Sequence, residues 1–257
     1  MSNMTIEDRI SRIHRIAIQD QDLSMSPRVV RTMAKNQDRA AMDEDSAAVA
    51  GGSIISFVGD LSRQTKATRR HNSTLFAQLA ANANYNRQDD MTKWHEYYGS
   101  VLEQLGWTMR SFKLARVNDS DVTSIGSVDK LLLSFAEKYF TGGEVALFRS
   151  TIDPLKRTEN ASAVKGFESS AKSFNKANFQ VGVVSNAVDN AVFKIGAYAF
   201  ETDRTLDEVL FFKTSQNVFF YADNQTMVLN GQIYGVIRQT VLDKLGENAN
   251  NFIDVEI

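Results

Sequence analysis

Cysteine is absent from the 257-residue chain. That excludes disulfides, thiolate metal sites, a cysteine nucleophile and any thiol-linked lipid. Only two prolines occur, Pro27 and Pro154, which rules out a proline-rich linker. The opening MSNMTIEDRISR has no basic-then-apolar run and is no secretory signal. Synthesis in the cytoplasm is therefore expected, with any export by a route that needs no such signal. Uninterrupted apolar runs of about 18 residues are missing too, so no transmembrane helix is expected. Charge of one sign is also lacking, since the formal net charge is −2. Nucleic-acid binding needs a clear positive excess to displace counterions, so no nucleic-acid partner is expected.

What is present is the material of a core. Hydrophobic residues make up 43% of the chain and charged residues 23%, the profile of a folded, water-soluble protein. Residues 1–50 are polar and weakly patterned, with QDQD, KNQDR and DEDS as solvated sequences and AAVAGGS as a hinge. They read as a partly helical or disordered arm, ahead of a single α+β domain over residues 51–257.

KATRRHNST, residues 66–74, places a basic cluster between the apolar blocks SIISFVGDL and LFAQLAANAN. At helical spacing Ile54, Phe57, Val58, Leu61, Leu75, Phe76 and Leu79 share one stripe, with Arg63, Lys66 and Arg70 opposite. The spacing predicts one amphipathic helix over 53–84 with the basic cluster on its solvated back. The rival reading is an anion site built from Lys66, Arg69 and Arg70. Thr65, Thr68 and Asn72 interrupt the stripe. Either the middle of the helix faces a polar partner, or the chain breaks near His71 with Asn72 or Ser73 as N-cap.

Further on, MTKWHEYYGSVLEQLG reads as a helix capped by Asp89 or Asp90, with Met91, Trp94, Tyr98, Val101, Leu102 and Leu105 inward and Gly106 as its stop. WTMRSFKLARV reads as an outer strand. SVDKLLLSFAEKYFTGG is a helix capped by Ser127 and stopped by Gly142-Gly143, and EVALFRSTIDPL adds a short one. KRTENASAVKGFESSAKSF reads as weak helix or surface loop. From Asn178 onward NFQVGVVSNA, NAVFKIGAYAFE, EVLFFKTS, NVFFYADNQTMVLN and NFIDVEI show strand composition and alternation. Before the last comes GQIYGVIRQTVLDKLG, a helix with Ile233, Val236, Ile237, Val241 and Leu245 inward. The expected fold class is α+β: a helical N-terminal half packed on a mainly antiparallel C-terminal β-sheet.

No motif carries catalysis. The three histidines, His14, His71 and His95, lie far apart without metal-ligand spacing, and His95 reads as a partly exposed surface residue. No phosphate-binding loop and no nucleophile elbow occur. No cofactor is expected, and no catalytic or metal-binding residue is singled out. FQVGVVSNAVDNAVFKIGAYAF is the one segment with a membrane reading. Two alternating runs around a Ser/Asn/Asp turn, with Phe179, Val181, Val183, Phe193 and Ile195, resemble the hairpins that β-barrel pores store. The same pattern describes any half-buried hairpin of a sheet.

The runs SFVGDLSRQT, NSTLFAQLAANANYNRQDD and WHEYYGSVLEQLGW, with VLFFKTS later, resemble the Erwinia virulence factor type of protein from about residue 53 onward. The resemblance implies an α/β protein that helps bacteria persist in an insect gut. It also implies association with lipid through an acylated cysteine, and no known catalytic residues. Without cysteine that acylation cannot happen here, so no functional residue carries over. A non-enzymatic virulence or toxin-like protein is expected, acting on a host by binding a membrane, a fatty acid or other lipid, or a protein. One rival is a structural or self-assembling homo-oligomer, motivated by LFF and VFFY leaving an apolar face uncovered. The other is an enzyme of unrecognised type.

Overall fold

Backbone pairing begins where the polar arm was expected to end. The computed structural model describes residues 4–19, 45–58, 65–187, 190–214, 217–250, 253–255 and 257. Helix α1 (Ile6–Arg15) opens on a capping box, in which Thr5 and Asp8 satisfy each other's backbone N–H. AAVAGGS is not a hinge but the corner of a hairpin. Strands β1 (Ser46–Ala50) and β2 (Ser53–Phe57) pair antiparallel, and Gly51 turns at φ 55°. Residues 46–50 thus belong to the sheet, and the boundary drawn at residue 50 falls inside this turn.

The single helix expected over 53–84 is corrected. Ser53–Phe57 is strand, and α2 begins only at Thr65 and runs to Asn84. The error has a physical source. β2 is buried on both faces, with Ile54 in one core and Ile55 and Phe57 in another. A strand buried on both sides reads as a continuous apolar run, which spacing cannot separate from helix. α2 is no surface helix either, because residues 72–81 are buried on every side. The break near His71 does not occur; Ser73 and Gln78 hydrogen-bond into the interior, but Asn72 of the interrupted stripe is buried with neither side-chain atom partnered among the described residues, and the side chains of Thr65 and Thr68 fall outside them.

After α2 come α3 (Met91–Gln104), the short strands β3 (Trp107–Thr108) and β4 (Ala115–Arg116), then α4 (Asp119–Ile125) and α5 (Val128–Tyr139). Helices α6 (Gly142–Ile152) and α7 (Ala161–Ala171) lead into the long strands β5 (Lys176–Ala187), β6 (Asn190–Thr202) and β7 (Val218–Leu229). Helix α8 (Gly231–Leu245) and β8 (Ile253–Val255) close the chain. The sheet runs β3-β7-β6-β5-β2-β1-β8, with β4 also against β7. Every neighbouring pair is antiparallel except β2 with β5. The fold is therefore α+β with a mixed sheet. Strand and helix are not divided between the halves, since β1 and β2 come early and α8 comes late.

Both faces of the sheet are covered. Phe179, Val181, Val183, Tyr198, Phe200 and Phe220 pack with α5, α6 and α7. Phe193, Ile195, Ala197 and Met227, from alternate positions, pack with α1, α2, α3 and α8. In the aromatic runs Phe219 stays 41% exposed, with the Arg116 guanidinium over its ring, and the rest of the sheet faces is largely covered among the described residues.

Five local expectations are also corrected. EVLFFKTS forms no strand. Val209 and Leu210 are fully buried, and the backbone bonds of this loop go to Glu168, Val128 and Gly126 instead of a ladder. Gly142-Gly143 opens α6 instead of stopping α5, because Thr141 and Glu144 form a capping box. Residues 161–171 are a helix whose Ala163, Phe167 and Ala171 enter the core. WTMRSFKLARV pairs only at its two ends, and in α8 Val236 is exposed.

Gly196 shows how closely the central strands are fitted. The Tyr198 ring lies back over it, and its Oη donates to Asn224 Oδ1 at 2.8 Å, on the residue paired with Gly196. Gly196→Ala would push that ring away and break the bond, and should cost about 1–3 kcal/mol. Leu79→Ala, at a residue 1% exposed, should cost about 2–5 kcal/mol. Urea unfolding measures both, and a loss under about 0.5 kcal/mol, the range of a surface change, would contradict this packing.

Candidate functional site

Between α2 and α3 the turn NYNRQDD carries Arg87, whose side chain is 5% exposed. Its Nε donates to Asn178 O at 2.8 Å and its Nη1 to Gln78 Oε1 at 2.9 Å. Its Nη2 donates to Gln180 Oε1 at 2.8 Å and Gly52 O at 3.2 Å. The guanidinium also lies 4.3 Å from the centre of the Trp94 ring. All four acceptors are neutral, and no carboxylate pairs with Arg87 among the described residues. Burial brings its pKa down to about 9, so it stays charged at neutral pH. Carbonyl dipoles and the indole face stand in for a counter-ion.

The acceptors are themselves fixed. Gln78 Oε1 also accepts from Gly52 N, and Gln78 Nε2 donates to Ala50 O and Ser53 Oγ. Ser53 Oγ donates to Gln180 Oε1 at 2.8 Å. Asn178 Nδ2 returns a bond to Arg87 O, and Asn178 Oδ1 meets His95 Nε2 at 2.7 Å. Because that partner is an acceptor, Nε2 carries the His95 proton, and Nδ1 has no partner among the described residues. The expectation of a partly exposed His95 is corrected: it is 1% exposed, packed against Trp94 and Phe112. Burial, then the nearby Arg87 charge, lower its pKa to about 3. A histidine so weakly basic is no general base near neutral pH. The cluster is a clamp that ties the α2–α3 turn, the β1–β2 turn and β5 together.

Nothing in the sequence marked this cluster. NYNRQDD reads as an ordinary solvated turn, and Asn178 and Gln180 alternate with Phe179 and Val181 as solvent-facing residues of a half-buried strand do.

Two clefts lie on the surface around the α5–α6 turn. A groove of about 570 Å³ runs along the outer face of α6, where Val145, Ala146, Pro154 and Ile257 lie with Arg149 and Arg157. A narrower cleft of about 240 Å³ is lined by Tyr139 and Phe140 from α5, by Lys194, by Asn224 and Thr226, and by Arg110. Among the described residues no three His, Asp or Glu side chains gather to hold a metal ion. No helix there is long and apolar enough to cross a membrane.

The residues singled out from sequence are not brought together. Lys66, Arg69 and Arg70 lie in α2, but their side chains, like Arg63 as a whole, fall outside the described residues. Phe179, Val181 and Val183 face one core, while Phe193 and Ile195 face the other. In the β5–β6 register Lys194 pairs with Val183 on the first face, and Asn178 and Gln180 occupy the second. Neither face of the hairpin is apolar throughout.

Two expectations follow for the clamp. Gly52→Ala would put a methyl group about 2.5 Å from Arg87 Nη2, an atom pinned by two hydrogen bonds, and should cost about 1–3 kcal/mol in urea unfolding. His95 binds a proton below about pH 6.5 when unfolded, but only below about 3 when folded. Its share of stability is thus complete above pH 6.5 and lost as pH falls towards 3, by up to about 1.4 kcal/mol per pH unit. His95→Gln, which keeps an N–H for Asn178, should flatten stability between about pH 4 and 7 relative to the parent. An unchanged slope would mean that His95 binds its proton alike in the folded and unfolded states.

No family model matches the chain, and no curated protein matches it. Among solved structures it is similar to a delta-endotoxin at 14% identity and TM-score 0.35, covering 70% of this chain and 84% of that one. It is also similar to the Evf virulence factor at 11% identity and TM-score 0.33, covering 78% and 82%. The comparisons thus give a distant structural resemblance to a toxin and a virulence factor, and no family membership.

Proposed function

We propose that the protein is a non-enzymatic factor of virulence or toxin type that works by binding an anionic lipid surface of its host. The observation that carries the lipid part is the groove along α6. Val145, Ala146, Pro154 and Ile257 offer apolar contact, and Arg149 and Arg157 stand beside them exposed, two cations against the single carboxylate of Asp153, with Arg149 also 3.4 Å from Glu137 Oε1. Such an arrangement suits an amphiphile with a negative head. The virulence part rests on the sequence resemblance from residue 53 onward.

Binding at the surface fits the packing better than insertion of the β5–β6 hairpin does. That hairpin lies between two helical layers, so entering a bilayer would empty both cores. Self-assembly by stacking aromatic sheet faces has no support, because helices cover both faces among the described residues.

Vesicle co-sedimentation tests the reading. Phosphatidylglycerol vesicles should retain the protein in a salt-sensitive way, and phosphatidylcholine vesicles should not. Each basic residue near such a surface contributes about 1 kcal/mol, so the double change Arg149→Gln, Arg157→Gln should weaken binding about thirtyfold. Equal partition onto both vesicle types, or no effect of the double change, would overturn it.

A further inference from the structure

Strand β7 is incompletely covered on its outer side. β3 pairs with Val228 and Leu229 and β4 with Tyr221 and Ala222, leaving residues 223–227 without an outer strand among the described residues. Arg110, on the connection between β3 and β4, reaches back into this notch. Its Nη2 donates to Asp223 Oδ1 at 2.8 Å and to Asn224 O at 2.6 Å. On β6, Lys194 stands opposite Thr226, and its Nζ lies 2.6 Å from Glu144 Oε2. Tyr139, 55% exposed, and Phe140 complete the cleft from the end of α5.

The charges of the lining are of one sign. Both cations are held by carboxylates, Asp223 and Glu144, that do not line the cleft. Glu144 is fixed in turn by the Thr141 backbone N–H and hydroxyl, at 2.8 and 2.9 Å. Held in this way, the cations keep donors to spare. Lys194 uses one of its three N–H bonds on Glu144, and Arg110 makes its bonds through Nη2, leaving Nε and Nη1. Asn224 Oδ1 is occupied by the Tyr198 hydroxyl, so its amide offers N–H bonds. Thr226 adds a hydroxyl. Ammonium, guanidinium and amide donors suit a ligand rich in acceptors, Gln225 adds an amide with both a donor and an acceptor unpartnered among the described residues, and Tyr139 and Phe140 suit an organic group attached to the ligand.

We propose that this cleft binds a phosphate monoester, carried either on a lipid headgroup or on a free organic phosphate. Two N–H-rich cations are spaced by a strand edge, and the volume of about 240 Å³ admits a phosphate with a small substituent. Because each cation is half neutralised by its carboxylate, modest affinity is expected, with Kd of about 1 mM or tighter. The site is independent of the α6 groove.

Titration calorimetry of the full chain with phenyl phosphate tests it. Saturable one-site binding is expected, with none for phenol, which has the ring without the phosphate. Arg110, 60% exposed, can be changed without emptying a core, and Arg110→Gln should weaken binding about tenfold or more. Tyr139→Ala should weaken phenyl phosphate but leave inorganic phosphate unchanged. No saturation up to about 10 mM, or full affinity in Arg110→Gln, would overturn the proposal. Phosphatidic-acid vesicles separate the two sources. In an Arg149→Gln, Arg157→Gln background, which removes the groove's share, vesicle binding lost on adding Arg110→Gln assigns the headgroup, while vesicle binding that Arg110→Gln leaves as it was, with phenyl phosphate binding lost, assigns a free ester. Arg149→Gln, on the α6 groove, should leave phenyl phosphate binding as it was, so the two readings fail separately.

Discussion

Arg87 carries a positive charge into the interior with no carboxylate to meet it among the described residues, and much of the surrounding structure is arranged around that charge. An unpaired buried ion is costly, and the cost is offset here by oriented neutral groups. Gly52 O receives Arg87 Nη2 at 3.2 Å and also Gln180 N at 3.0 Å. Those bonds sit at the start of the β2–β5 pair, the parallel step in a sheet otherwise antiparallel. The step joins the β1, β2 and β8 strands to the long β5–β6–β7 meander. Antiparallel strands can follow one another through tight turns, but a parallel pair needs a long crossover and has no local turn to set its register. Arg87, held by β5 on one side and the β1–β2 turn on the other, supplies a register mark where the backbone lacks one.

The crossover explains the layering. Between β2 and β5 the chain makes α2 to α7, and these helices pass to both faces of the sheet. Strands that in an open sheet would alternate core and solvent instead alternate between two cores. Among the polar residues that lie inward, Ser53, Gln78, Asn178 and Gln180 form the network around the buried guanidinium. His95 joins them as a neutral donor, kept neutral by the same burial that surrounds Arg87.

With both sheet faces largely occupied, the two clefts described above lie at the rim. The α5–α6 turn is the notable part of it, with a groove that pairs apolar side chains with arginines on one side and a cation-lined notch of the β7 edge on the other. The Thr141–Glu144 capping box links them. It starts α6, whose outer face lines the groove, and the same Glu144 holds Lys194 in the notch.

Much of this was legible in the residues themselves. Trp94, Tyr98, Val101 and Leu102 place the inner face of α3, the alternation from Asn178 to Leu229 places the long strands, and the absence of cysteine rules out a covalent lipid on sulfur. These are local properties, set by period and composition within one element. What the tertiary structure alone decided is which apolar run is strand and which is helix when both sides are buried, as at Ser53–Phe57. It also decided which polar residues turn inward. Arg87 lies in a turn that looks solvated, and its partners Gly52, Gln78, Asn178 and Gln180 are brought to it from three other elements. No spacing in a linear chain records such a convergence, because the energy that orders it comes from desolvating one charge among groups distant in sequence.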